Sequence, residues 1–173
     1  LEYFVPQVIE KMPLERKKGE SLTKNKYFPK ASEGKEIAMF LGLRLVPKGA
    51  VAIFCGRKDT ASGLCEMVSE AYSRNLSMAM PKEYSNQDEI LKLSHLIEQH
   101  LGANASAKNS EKIGIFPHHG NTPHGIRLAV EYAMREDLVR FVVCTSTLAQ
   151  GVNLPIRYLI VTSVYQGMER IKV

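Results

Sequence analysis

Thr145-Ser146-Thr147-Leu148-Ala149-Gln150-Gly151-Val152-Asn153-Leu154-Pro155 lies between two apolar runs, Phe141–Cys144 and Tyr158–Val161. The stretch is rich in hydroxyls and carries a Gly and an Asn, a composition that packing alone does not explain. In open parallel sheets, loops at the carboxyl ends of strands are where ligands bind. Gly151 can take a positive φ or let a ligand approach the backbone. Pro155 keeps a helix from running into the next strand. A capped turn, with Ser and Thr bonding their own backbone, is the alternative for the same residues.

Outward from this loop, apolar runs alternate with segments of helical periodicity. From Glu36 to Val46, Ile37, Phe40, Leu41 and Leu45 recur at helical spacing, and Pro47 with Lys48-Gly49 ends the helix. Val51–Cys55 is a short continuous apolar run, as in a strand covered on both faces. Thr60 is placed to cap the next helix, whose face is Leu64, Met67, Val68, Ala71 and Tyr72. Asn86, with Glu89 three residues on, predicts a capping box. The helix it opens carries Ile90, Leu93, Ile97 and Leu101 and stops at Gly102. Residues 103–111 read as a loop and Ile113–Phe116 as a strand. Thr122-Pro123 reads as a cap and first helical position, with Ile126, Ala129, Val130, Ala133 and Met134 on one face. On another face Glu131 and Arg135 are spaced to pair. Arg140–Cys144 and Tyr158–Val164 are further strands, and Leu76–Met80 is a candidate one. Strands alternating with helices predict an α/β domain over 36–173, with a mainly parallel sheet and helices on both faces. Residues 1–35, rich in Lys, Gly, Ser and Pro from 13 on, read as a connector or irregular segment.

The 173 residues suffice for one ordinary domain with its own core. A net charge of +5 suits a partner with phosphates, although many proteins are this basic. No run approaches the length of a membrane span. The start, Leu1-Glu2-Tyr3-Phe4-Val5, lacks both an initiator Met and the basic flank of a signal peptide, which suggests an origin in a longer polypeptide. Three cysteines at wide spacing, Cys55, Cys65 and Cys144, argue against a disulfide framework or a zinc site. Reduced, buried thiols fit a cytoplasmic protein, or a nuclear one in a eukaryote.

Two more strand-following loops have the chemistry of anion binding, in which backbone amides at a turn act beside cations or hydroxyls. Gly56-Arg57-Lys58-Asp59-Thr60 sets two cations at a helix N-terminus, against the helix dipole. Pro117-His118-His119-Gly120 invites a metal reading, but adjacent side chains on an extended segment point opposite ways and no Cys or carboxylate lies close in sequence. A pair of turn histidines, one satisfied in the core, is the competing reading there.

Thr145–Pro155 closely resembles motif V of DExH/DEAD-type superfamily-two helicases. Ile53-Phe54-Cys55-Gly56-Arg57-Lys58 resembles motif IV, and Pro117–Gly120 resembles the His-His-small element before motif V. The last match is partial, since Asn121-Thr122 stand where the family often has an apolar residue. The resemblance covers about residues 36–165 and implies a second RecA-like domain, three-layered, in an ATP-dependent helicase or translocase. It further implies nucleic-acid contacts from Arg57, Lys58, His119, Gly120, Thr145, Ser146 and Thr147. Gln150, Gly151 and Asn153 would face the ATP cleft. The implied partners are single-stranded DNA or RNA and the first RecA-like domain of the same polypeptide, with no membrane. ATP and Mg2+ are expected in the parent enzyme, which should hydrolyse ATP; this chain alone should bind neither and be inactive.

No catalytic or metal-ligating residue is expected here. Gly34-Lys35-Glu36 is not a phosphate-cradling loop, because Pro29 replaces the earlier Gly and Glu36 the hydroxyl residue. Asp88-Glu89-Ile90 follows polar residues and is not the metal-binding acidic motif. Motif VI should follow Tyr158–Val164, but Arg170 lacks the Gln-x-x-Gly-Arg-x-Gly-Arg context and the chain reads as cut before it. Two alternatives remain open. One is a non-catalytic nucleic-acid-binding or protein-interaction module with the helicase fold. The other is an unrelated α/β enzyme using Cys55, Cys144 or His118, which a low thiol pKa would mark.

Overall fold

Short apolar runs separated by amphipathic segments bury both faces only as a central sheet between helical layers. The computed structural model has that architecture and describes residues 9–21, 26–30, 32–101, 109–146, 154–162, 165–166 and 169–170. Its elements are β1 (Met12–Leu14), β2 (Lys26–Phe28), α1 (Gly34–Leu45), β3 (Val51–Phe54), α2 (Lys58–Ser73), α3 (Gln87–Leu101), β4 (Phe116–His118), α4 (His124–Arg135), β5 (Phe141–Cys144), β6 (Tyr158–Val161), β7 (Tyr165–Gln166) and β8 (Glu169–Arg170). The main sheet is parallel throughout, in the order β4-β5-β3-β6. Val51 aligns with Phe141 on one side and Tyr158 on the other.

Alternation along the strands divides the core in two. Val51, Ile53, Phe141 and Val143 join the cluster formed with α1 and α2, around Phe40, Leu64 and Val68. Ala52, Phe116, Val142 and Cys144 join the cluster formed with α3 and α4, around Leu93, Ile97, Ile126 and Met134. The expected three-layer fold follows. Gly42 lets α1 lie close on the sheet, since a Cβ there would come 2.8 Å from Phe141 Cζ.

Several local expectations shift. The strand predicted over Ile113–Phe116 begins only at Phe116, because Glu111–Ile113 is a 3-10 turn closed by Gly114 at φ 83°. The strand then includes Pro117, whose missing N–H is harmless on an edge strand. Leu76–Met80 is not a strand: Asn75 at φ 57° ends α2, and the Leu76 N–H returns to the Ala71 carbonyl at 3.2 Å. Helix α2 starts at Lys58 with Arg57 at the cap position, ahead of Thr60, and α4 starts after Pro123. Neither has a side-chain cap. Asn86 does cap α3, its Oδ1 accepting from the Glu89 N–H at 3.0 Å. The reciprocal arm of the box is replaced, because the Asn86 N–H donates to the Leu138 carbonyl at 2.7 Å.

Within the stretch read as a connector, β1 and β2 pair antiparallel. Phe28 is buried beside Phe40, with ring centroids 6.4 Å apart. The loop between the two strands docks on the end of α2 through Arg74, which is 6% exposed. Its guanidinium donates to both Glu20 oxygens at 2.7 Å and to Glu70 at 2.8 Å. Lys17 lies 2.6 Å from Glu70, and the Glu15 N–H donates to the Arg74 carbonyl at 2.9 Å. Arg74, then Lys26, hold the Glu20 carboxyl far below its usual range. Lys17, then Arg74, hold Glu70 at about 2, against an ordinary 4.5. Both folded-state values are depressed. The stabilisation is therefore complete above the ordinary value and lost as the pH falls from 4.5 toward about 2. Protection of the Glu15 amide from hydrogen exchange should fall across that window. Arg74→Ala should abolish the protection and its pH dependence; a variant with the wild-type profile would contradict this docking.

Candidate nucleic-acid interface

Strands β3, β4 and β5 end level, because Phe54 aligns with Cys144 and Cys144 with His118. Their following loops thus emerge side by side, with the loop after β5 in the middle. The hydrogen-bond ladder runs one residue past the strands. The Cys55 N–H donates to the Cys144 carbonyl at 2.8 Å and the Thr145 N–H to the His118 carbonyl at 3.1 Å. On the other flank Thr162 gives both its N–H (3.0 Å) and its hydroxyl (2.9 Å) to the Phe54 carbonyl.

The two histidines turn to opposite helical layers, as an extended segment requires. His118 Nε2 lies 2.7 Å from Glu131 Oε1 on α4, with both residues buried. His119 Nε2 lies 3.2 Å from Ser62 Oγ on α2. His119 is 7% exposed, and its Nδ1 is buried with no partner among the described residues. Burial, then His118 and Lys58, push its pKa below the ordinary 6.5, so the ring is neutral at neutral pH. Lys58 Nζ donates to Asn121 Oδ1 at 3.1 Å and ties the first loop to the second.

Arg57 and Lys58 are exposed at the uncapped start of α2, where the helix dipole disfavours cations and favours a bound anion. Gly120 is exposed, and a Cβ there would meet nothing within 4 Å, so the fold itself does not require glycine at this position. Thr145 is 8% exposed and Ser146 half-buried at the head of the central loop. Thr147, Gln150, Gly151 and Asn153 lie outside the described residues.

Three contributors escaped the sequence reading: Ser62, Thr162 and Glu131. Glu131 does not pair with Arg135; it turns inward to His118. Its place three residues before buried Met134 was the signal, since that spacing puts it on the edge of the core-facing arc.

Other chemistries fare poorly. All three thiols are free and buried. Burial pushes Cys65 and Cys144 up to about 12 and Cys55 upward as well, the reverse of a nucleophilic cysteine. Glu36 accepts the Lys30 N–H at 2.8 Å and pairs with its ammonium at 3.3 Å, so it serves the turn before α1. Asp88 and Glu89 lie in the first turn of α3, not at a strand end. Among the described residues no helix is long and apolar enough to cross a membrane.

Residues 72–172, more than half of the chain, match the model of the helicase conserved C-terminal domain. Among curated proteins, the chain is 31% identical over 130 residues to a Helicase POLQ-like protein of Caenorhabditis elegans, covering 74% of the chain and 14% of that protein. It is 30% identical over 122 residues to the ATP-dependent DNA helicase Hel308 of Methanococcus vannielii, covering 68% of the chain and 15% of that protein. It is 28% identical over 139 residues to the Hachiman protein HamB of Bacillus cereus, covering 80% of the chain and 12% of that protein. The chain thus spans less than a sixth of the length of these relatives. By its matched residues and its parallel three-layer fold, the chain belongs to the helicase C-terminal domain family, the second RecA-like domain of superfamily-two helicases.

Proposed function

We propose that this chain is the second motor domain of an ATP-dependent DNA helicase and that its three carboxyl-edge loops hold the backbone of a single strand. The observation that carries the proposal is the juxtaposition of the Arg57-Lys58, His119-Gly120 and Thr145-Ser146 loops along one sheet edge. Arg57 and Lys58 neutralise phosphates. Gly120 leaves the backbone open to close approach, with His119 beneath it. Thr145, Ser146 and Thr147 present hydroxyls to phosphate or sugar, the Thr145 amide being held by the His118 carbonyl. DNA is favoured over RNA because one of the relatives is an ATP-dependent DNA helicase, Hel308.

The assignment of Gln150, Gly151 and Asn153 to the ATP side rests on the motif V resemblance. Bound ATP with Mg2+ would supply the free energy of translocation through phosphoryl transfer. These 173 residues contain neither a Gly-rich phosphate loop nor the metal-binding acidic motif, so hydrolysis is assigned to the pair formed with the first RecA-like domain. The expected result of a phosphate-release assay follows. The 173-residue chain alone shows no ATP turnover stimulated by single-stranded DNA, whereas a polypeptide joining it to its first domain does. Robust turnover by the chain alone, free of contaminating enzyme, would contradict the assignment.

A further inference from the structure

We infer that Glu131 and His118 form a buried strut that positions the loops after β4 and β5 to grip nucleic acid, an inference that rests on the functional reading above. A glutamate only 9% exposed is costly to bury, and an apolar residue of the same volume would usually serve stability as well or better. The pair therefore calls for a role in fixing geometry. His118 sits where three connections meet. Its ring is held by Glu131 of α4 at 2.7 Å. Its carbonyl accepts the Thr145 N–H at 3.1 Å, at the first residue of the central loop. Its chain neighbour, His119, reaches Ser62 of α2 at 3.2 Å. The peptide that carries the second and third loops is thereby fastened to both helical layers. Neither Glu131 nor His118 needs to touch the nucleic acid; both are positioning residues.

The test compares Glu131→Met, which keeps volume and helix propensity but removes the acceptor, with Glu131→Gln, which keeps an acceptor oxygen. Glu131→Met should weaken binding of a labelled single-stranded oligodeoxynucleotide about tenfold, and Glu131→Gln should restore it to within about threefold. Thr145→Ala should cost less on the Glu131→Met background than in the wild type, because the two share one arrangement. The Thr145 amide should exchange faster in Glu131→Met while the amides of Val51–Phe54 keep their protection. His118→Leu breaks the pair from the strand side and should give the same losses, so that misfolding of one variant leaves the other to decide. Wild-type affinity together with wild-type Thr145 protection in Glu131→Met overturns the strut. If the wild-type chain binds no single strand even when joined to its first RecA-like domain, the functional reading fails, and exchange alone decides: faster Thr145 exchange keeps the strut, unchanged exchange removes it.

Discussion

Replacement of Gly114 by alanine is expected to destabilise the chain by about 3 kcal/mol, the sum of a left-handed backbone penalty and an overpacking penalty. Gly114 has φ 83°, where an L side chain is strained whatever the space. The space is absent as well. A Cβ there would lie 2.5 Å from Lys82 N and 2.8 Å from Lys82 Cα, both backbone atoms of the Pro81–Tyr84 turn. Backbone cannot rotate aside as a flexible side chain can. The Glu111–Gly114 turn leads directly into the fully buried Ile115 and Phe116, the latter the first residue of β4, so displacement would spread into that strand. Gly120→Ala is the control, since its Cβ meets nothing within 4 Å. That variant should change stability by no more than about 0.5 kcal/mol. Denaturant midpoints read both; a Gly114→Ala protein as stable as Gly120→Ala would refute the role of the turn.

Arg57→Ala/Lys58→Ala should act with opposite signs on stability and on binding. Both cations are exposed at the start of α2, against the positive end of its dipole. Removing them should leave stability unchanged or raise it by about 0.5 kcal/mol. Binding should move the other way. Each lost phosphate contact flattens the log–log salt dependence by about 0.7 for a single strand, so the double change should flatten it by about 1.4. Affinity at low salt should fall about 10- to 100-fold. Loss of the Lys58–Asn121 bond adds to this by releasing the second loop from the first. Residues kept for packing would lose stability and binding together, and that outcome would contradict the assignment.

The layers were legible from periodicity because each central strand is apolar throughout and α2, α3 and α4 each bury one stripe; α1 instead buries Ala38, Met39, Phe40 and Leu43, while Ile37, Leu41 and Leu45 of its expected face are only half-buried. Misplaced boundaries have local causes. At Ile113–Phe116 the apolar run was continuous, and nothing in composition marked Gly114 as a left-handed stop set by a distant turn. The ribbon β1–β2 was illegible for a related reason. Three-residue strands carry no readable period, and what holds them is Arg74, far along the chain. At the site, the three loops were visible as motifs because each follows a strand. Their mutual order was not, since it depends on β5 lying between β4 and β3. Glu131 was misread because an exposed pair with Arg135 and a buried pair with His118 ask the same residue of the helix. Only the packing of α4 against β4 distinguishes them.

The most direct test of the central claim is anisotropy of labelled single-stranded DNA and RNA of equal length, titrated with the chain between about 50 and about 200 mM salt. Thr145→Ala and Arg57→Ala/Lys58→Ala are measured alongside. If the carboxyl-edge loops grip the backbone, affinity falls linearly with salt on logarithmic axes and DNA binds more tightly than RNA. Both variants weaken binding, and only the charge change flattens the slope. Binding that ignores salt and all these residues, or no binding at low salt even when the first RecA-like domain is joined to the chain, would contradict the claim.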